Sequence, residues 1–252
     1  MATVKEIYEF INSVAPFDIQ EGFDNAGFLV GRRDRAVRKI LVALDITGEV
    51  AEEAARLGAE LIVAHHPVIF NPVKSVTDET LTGRVLLALA EQKIAAICAH
   101  TNLDAALGGV NDCLAEALEL TDVSQLCQEG VDAQGRPYGI GRVGTVRRPE
   151  LSAREYAAFV KEKLGSSNVR FVDGGRPVQR VAVGGGACGS MLEDVSAQGC
   201  DTFVTSDLKY NQFLDAKALG LNLLDAGHFA TENVVCGPMV QWLSEDFPRV
   251  EV

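Results

Sequence analysis

Apolar residues along this chain recur at two spacings, and the alternation between them predicts the architecture. Thr3-Val4-Lys5-Glu6 has the form of a capping box, and Ile7, Phe10, Ile11 and Val14 follow at helical spacing until Pro16 ends the pattern. Asp24-Asn25-Ala26-Gly27 is turn chemistry ahead of a short strand, Phe28-Leu29-Val30. Three strand-then-helix units come next. Ile40 to Asp45 leads to a helix near 49 to 57, Leu61 to Ala64 to one near 79 to 92, and Ile94 to Ala99 to one near 110 to 118. Strands and helices alternating at this spacing imply right-handed crossovers and a mostly parallel sheet.

The second half repeats the order. Ser152-Ala153-Arg154-Glu155 is another capping box, 149 positions after the first, and Phe159 follows Ser152 by seven residues as Phe10 follows Thr3. Val169 to Val172 matches the first short strand, and Val178 to Val183, Thr202 to Thr205 and Leu221 to Leu224 match the three longer ones. The expected fold is therefore α/β: two similar α/β halves related by duplication, with mostly parallel mixed sheets. The expected boundaries are 1–122 for the first repeat, 123–150 for a connecting β-hairpin and 151–252 for the second repeat. The hairpin is read from Val123 to Cys127 and Tyr138 to Val146, which flank the turn residues Asp132 to Pro137.

At 252 residues and 47% hydrophobic, the chain can bury one large or two small cores. Its 23 basic against 35 acidic residues leave a formal charge of -12, which opposes nonspecific binding to nucleic acid. No apolar run reaches the roughly 18 residues a membrane helix needs, and the N-terminus lacks a signal-peptide layout, so a cytoplasmic protein is expected. Cysteines 98, 113, 127, 188, 200 and 236 form no CxxC pair and read as reduced packing residues.

The candidate chemistry lies where the strands end. His65-His66-Pro67 closes the run Leu61 to Ala64, and the other two of the chain's four histidines, His100 and His228, also follow apolar strands. Asp104 and Glu232 stand four residues behind them. In open parallel sheets the loops beyond the C-terminal strand ends converge on the ligand. His65, His66, Asp104, His228 and Glu232 offer three imidazoles and two carboxylates, a nitrogen and oxygen set suited to Zn, Mn, Fe or Co. Five such residues could hold two divalent ions with a carboxylate bridging and positions left open, a pairing that activates water and favours hydrolysis. His100 reads as support for a ligand rather than as one. Asp104, Asn111 and Asp112 also have the alternative of capping the following helix, and Glu232 shares a face with His228 only if a helix begins at once.

Two further motifs compete for attention. Gly184-Gly185-Gly186-Ala187-Cys188-Gly189 after Val181-Ala182-Val183 matches GxGxxG, which admits a dinucleotide site, a phosphate-cradling nest or a close backbone approach at the cleft. Cys188 could be a nucleophile at a helix N-terminus.

Taken together, several segments resemble those of the dinuclear-metal-centre family called Nif three-like, often labelled GTP cyclohydrolase I, type two. They are Asp24-Asn25-Ala26-Gly27 with Val30-Gly31, His65-His66-Pro67, His100 to Ala106 with Gly108 to Asp112, the triple glycine from Gly184, and Gly227-His228-Phe229-Ala230-Thr231-Glu232. The resemblance covers nearly the whole chain, in the short form without an inserted domain. It implies a dinuclear site with His65, His66, Asp104, His228 and Glu232 as ligands and Glu232 as the bridge. It also implies two intertwined α/β repeats in a three-layer α/β/α arrangement, with the metal site in the cleft between them, and a ring-shaped homohexamer with its sites facing an inner cavity. One loop departs from the family: Thr205-Ser206-Asp207 carries Ser206 where the family usually has Gly, with no histidine a few residues on. That departure bears on proton transfer and leaves the metal set intact.

The expected activity is that of a metal-dependent, cyclohydrolase-like hydrolase acting on a nucleotide or similar anionic small molecule, with Asp207 or His100 as proton carrier. The alternative of a different class is a hexameric metal-binding, metal-chaperone or regulatory protein without catalysis.

Overall fold

The capping box predicted at the N-terminus closes: Glu6 N–H donates to Thr3 Oγ1 at 3.3 Å, and Thr3 N–H donates to the Glu6 carboxylate at 2.7 Å. In the computed structural model, which describes residues 2–147 and 150–252, the helix so started is α1 (Val4–Val14), with Val4, Ile7 and Ile11 on its buried face. The described residues fall into two compact units. One comprises the residues up to Leu103 together with Cys236–Val252; the other is Asp104–Val235.

In the first unit, β1 (Ala2–Thr3) pairs antiparallel with β3 (Ala36–Val37). The main sheet has β2 (Gly27–Val30), β4 (Ile40–Ala43), β5 (Leu61–Ala64) and β6 (Ala95–Cys98) in the order β2-β6-β5-β4. β4, β5 and β6 run parallel, and β2 is the antiparallel edge. Helices α2 (Gly48–Leu57) and α3 (Leu81–Glu91) make the crossovers, started by the Thr47 and Thr80 hydroxyls. Every residue of β5 and β6 is buried, as a central parallel strand requires, and each fully buried Leu, Ile or Val contributes about 1.5–3 kcal/mol.

The second unit begins within α4 (Thr101–Ala105) and continues through α5 (Val110–Ala117), β7 (Leu120–Gln125), the short pair β8 (Gly130–Val131) and β9 (Pro137–Tyr138), and β10 (Arg142–Val146). After α6 (Ala153–Lys163) come β11 (Arg170–Val172), β12 (Arg180–Val183), α7 (Leu192–Ala197), β13 (Thr202–Thr205), α8 (Tyr210–Ala218), β14 (Asn222–Asp225) and α9 (His228–Glu232). The sheet order is β11-β14-β13-β12-β10-β7. Its parallel trio β12, β13 and β14 with antiparallel β11 repeats the order of β4, β5 and β6 with β2, and both repeats open on a capping-box helix.

The compact units do not follow the boundaries 1–122, 123–150 and 151–252. β7 and β10 form the predicted hairpin, but β10 also pairs with β12, so the hairpin extends the second sheet instead of merely connecting two halves. Residues 148 and 149 of the 123–150 span lie outside the described residues. α5 packs on β7 and β10 and so joins the second unit. The last helix, α10 (Cys236–Asp246), belongs to the first unit, where it packs against β4 with Met239 and Leu243 buried.

Candidate metal centre

Sheet register places one group of side chains in the first unit. Ala43 pairs with Ala64, and Ala64 with Cys98, so the positions two residues beyond each strand, Asp45, His66 and His100, emerge at the same end of the sheet. His65 precedes His66 and is fully buried. The rings of His65 and His66 lie 4.9 Å apart, those of His65 and His100 5.2 Å, and those of His66 and His100 5.5 Å. One ligand atom from each of the three lies within 4.8 Å of the others, a grouping able to hold a metal ion.

The Nδ1 atom of each ring is committed elsewhere. His65 Nδ1 donates to the Ala99 carbonyl at 2.8 Å, which fixes that tautomer because a carbonyl can only accept. His66 Nδ1 meets Asp45 Oδ1 at 2.7 Å, and His100 Nδ1 meets Asp24 Oδ1 at 2.7 Å. An imidazole whose Nδ1–H faces an oxygen acceptor presents Nε2 as its lone-pair atom, the usual arrangement behind a metal-binding histidine. The Asp24 side chain is fully shielded from solvent. Burial by itself would raise its pKa, but hydrogen bonds from His100 and Thr101, the His100 charge and the Asn25 N–H outweigh that and hold the carboxyl well below its usual range. Asp24 is therefore an anion that fixes both His100 and the start of α4, where Thr101 N–H donates to it at 3.0 Å.

In the second unit, α9 begins at His228 itself, so Glu232 shares its face one turn on, and His228 Nε2 lies 3.0 Å from Glu232 Oε2. His228 Nδ1 lies 2.7 Å from Asp207 Oδ2. Without a metal the imidazolium is favoured: the hydrogen bond to Glu232 raises the His228 pKa to about 9 against the opposing effect of burial, with the Glu232 charge and Asp207 adding to the rise. Asp207 reaches this place from a positive φ of 53°, a conformation uncommon outside glycine. Glu232 and Asp104 are both buried.

The glycine loop exists for a steric reason. A Cβ at position 186 would stand 2.2 Å from Glu232 Oε1 and 3.2 Å from His228 Nε2, and one at 185 would meet Val110 at 2.8 Å. Its amides are also occupied: Gly184 N–H donates to Val204 O, Gly185 N–H to Asn111 Oδ1 and Gly186 N–H to Thr231 Oγ1. The close-approach reading holds, and none of the three glycine amides is left for a dinucleotide or a phosphate. Burial, with the charges of Asp104 and Glu232, pushes the Cys188 thiol up to about 12, so it is no thiolate nucleophile.

The capping alternative for Asn111 gives way to another role. Gly109 occupies the N-cap of α5 without a side-chain bond, while the buried Asn111 donates to the Asp104 carbonyl at 2.9 Å and accepts from Gly185. Asp112 accepts from Gly108 N–H and from Arg142.

Within single units, then, His65, His66 and His100 come together, as do His228, Glu232 and Asp207. Sequence reasoning missed Asp45 and Arg142, and named Asp24 as a turn residue and as part of a family-like segment without giving it a role. For Asp45 a signal was present: it follows β4 at the same step at which His66 follows β5 and His100 follows β6. The donor set is nitrogen and carboxylate oxygen throughout, which fits a first-row divalent ion and leaves its identity open.

Comparison with known proteins places the chain among relatives. The sequence profile described as Duf34/NIF3 (NGG1p interacting factor 3) matches residues 2–252. A Clostridium perfringens protein named "GTP cyclohydrolase 1 type 2 homolog" is 37% identical over 230 residues, covering 91% of this chain and 86% of its own. One of the same name from Streptomyces coelicolor is 39% identical over 236 residues, covering 92% and 82%. The crystal structure of a Bacillus cereus protein related to NIF3 is similar with a TM-score of 0.93 at 26% identity, covering 100% of this chain and 96% of that one.

Proposed function

The chain belongs to the Duf34/NIF3 family, and on that premise we propose that it is a metal-dependent hydrolase of nucleotides or similar anionic small molecules, with His65, His66, Asp104, His228 and Glu232 holding two divalent ions and Glu232 bridging them. The observation that carries the reading is the commitment of Nδ1 in all four imidazoles: to Ala99 O in His65, to Asp45 in His66, to Asp24 in His100 and to Asp207 in His228. In His65, His66 and His100 this leaves Nε2 oriented for donation before any ion arrives, whereas His228 Nε2 faces Glu232 and must first lose its proton.

Two divalent ions, when bound, supply Lewis-acid charge and lower the pKa of water towards neutrality. The protein's own part is to hold, orient and exchange protons. In this reading Asp207 accepts a proton at its carboxylate, supported by its exposure and its 2.7 Å contact with His228 Nδ1. His100, oriented by an anionic Asp24, is the second candidate for that step. Charge from the ions offsets the acidity of the chain and admits an anionic substrate. The names of the relatives favour attack at a ring carbon of GTP as the reaction to try first. A ring-shaped hexamer belongs to the same reading, and sedimentation of about six chains per particle is its test.

The deciding experiment measures GTP turnover by the protein loaded in turn with Zn, Mn, Fe and Co. Turnover that disappears in Glu232→Ala supports the hydrolase. Absence of turnover of any nucleotide with both metals bound, together with exchange of the metals to a mild chelator within minutes, contradicts it in favour of a metal-delivery protein.

A further inference from the structure

Two aromatic rings at the rim of the three-imidazole cluster are not used by the core. Phe23 is 67% exposed and Phe70 45% exposed, with ring centroids 6.5 Å apart at an interplanar angle of 65°. Phe70 also meets the His100 ring edge-on, at 6.1 Å and 84°. The backbone beneath both rings is fixed. Phe23 precedes Asp24, whose shielded carboxylate binds His100 and Thr101, and Phe70 follows Ile69, whose carbonyl accepts from Asn25 Nδ2 at 2.5 Å. The carboxylate that orients His100 thus anchors the residue next to Phe23, and the Asn25 bond anchors the residue before Phe70, while both rings stay open to water. Phe70 belongs to the irregular stretch from His65 to Thr80 between β5 and α3, and structureless loops of that length are commonly functional. Phe70 also lines a pocket of about 380 Å³ with Pro67, Val73, Lys74 and Thr80. Lys74 has no carboxylate partner among the described residues, although the chain carries a net charge of -12.

We propose that Phe23 and Phe70 form the stacking subsite for the planar heteroaromatic ring of the ligand, holding that ring beside the imidazoles while its anionic tail runs along the loop to Lys74. A ring lying on one phenyl face meets the edge of the other, the geometry aromatic groups prefer. This inference rests on the nucleotide reading above and adds which residues hold the ring: two phenyl groups, one of them against the His100 imidazole.

The test is calorimetric binding of three probes, GTP, guanosine and inorganic tripolyphosphate, to the metal-loaded protein and to Phe23→Ala, Phe70→Ala, Phe70→Trp and Lys74→Ala, with circular dichroism to check folding. Base stacking removed by alanine weakens GTP and guanosine by roughly 5- to 150-fold and leaves tripolyphosphate unchanged. Lys74→Ala weakens GTP and tripolyphosphate but not guanosine. Phe70→Trp retains affinity, and its added indole is quenched when guanosine binds. Equal losses for GTP and tripolyphosphate in the phenylalanine variants, or no loss, overturn the stacking subsite. Wild-type protein that binds tripolyphosphate as tightly as GTP overturns it too, yet leaves the metal-centred reading standing; failure to bind any of the three overturns both. A fall in particle mass in Phe23→Ala or Phe70→Ala with affinity unchanged overturns it by assigning the rings to an interface between copies of this chain.

Discussion

Arg142 Nη2 lies 2.8 Å from Asp112 Oδ2, and its Nε lies 2.9 Å from Asp112 Oδ1, so a guanidinium only 1% exposed grips one carboxylate with both arms of its fork. The remaining donors reach the carbonyls of Gly139 at 2.8 Å, Gly141 at 2.9 Å and Ala106 at 2.9 Å. One side chain thus ties β10 to the turn that follows Asp104. Replacing it with alanine orphans a carboxylate and several carbonyls, and a loss of about 3–5 kcal/mol is expected. Lysine recovers only part of that, because a point charge cannot serve five acceptors. Urea unfolding of Arg142→Ala and Arg142→Lys checks both; an alanine loss below about 1 kcal/mol contradicts the clamp.

Gly186 and Gly199 separate clash from strain. Both hold positive φ, 67° and 71°, but a Cβ at 199 meets nothing within 4 Å whereas one at 186 stands 2.2 Å from Glu232 Oε1. Gly199→Ala is expected to lose about 1–2 kcal/mol of stability through backbone strain and to bind metal as before. Gly186→Ala is expected to lose metal affinity beyond any such cost, since Glu232 must move. Equal metal affinity in the two variants would show that the loop does not shape the site.

Asp45 and Asp24 orient His66 and His100, and neither is among the five proposed ligands. Asp45→Asn is expected to weaken metal binding by about 10- to 100-fold while leaving the fold intact, the usual consequence of loosening a ligand from behind. Titration with a chromophoric chelator as competitor measures this, and an unchanged affinity would remove Asp45 from the account.

Glu60 supplies the pH dependence. Burial alone would raise its pKa, but the Arg38 N–H and guanidinium and the Lys39 N–H, which donate to the carboxylate at 2.7–3.0 Å, lower it below the ordinary value. A carboxyl lowered on folding adds stability that is fully present above its unfolded pKa, about 4.3, and is lost as the pH falls through the folded value. The wild type should therefore lose more stability between about pH 5 and pH 3 than Glu60→Gln, which stays neutral throughout. Thermal midpoints across that range decide it, and parallel curves would contradict it.

Much of this was legible in the chain because parallel strands that are buried on both faces read as unbroken apolar runs. Leu61 to Ala64 and Ala95 to Cys98 are fully buried strands where the runs predicted them, and the capping boxes at Thr3 and Ser152 start helices where their spacing placed them. Register was not legible. No local pattern says that Ala43 lies beside Ala64, and without that pairing Asp45 is merely a carboxylate after a strand. Arg142 was equally hidden, since its acceptors, the Asp112 carboxylate and backbone carbonyls, lie up to 37 positions away. Nor could the return of α10 to the first unit be read from its own sequence, because packing on β4 joins segments nearly 200 residues apart.

The measurement that bears most directly on the central claim is metal content per chain, by plasma mass spectrometry, on protein purified without chelator and compared with Asp104→Ala and Glu232→Ala. About two divalent ions per chain in the wild type, falling sharply in both variants, is the expected result. Little or no metal in the wild type even after reconstitution, or a content indifferent to both substitutions, would contradict it.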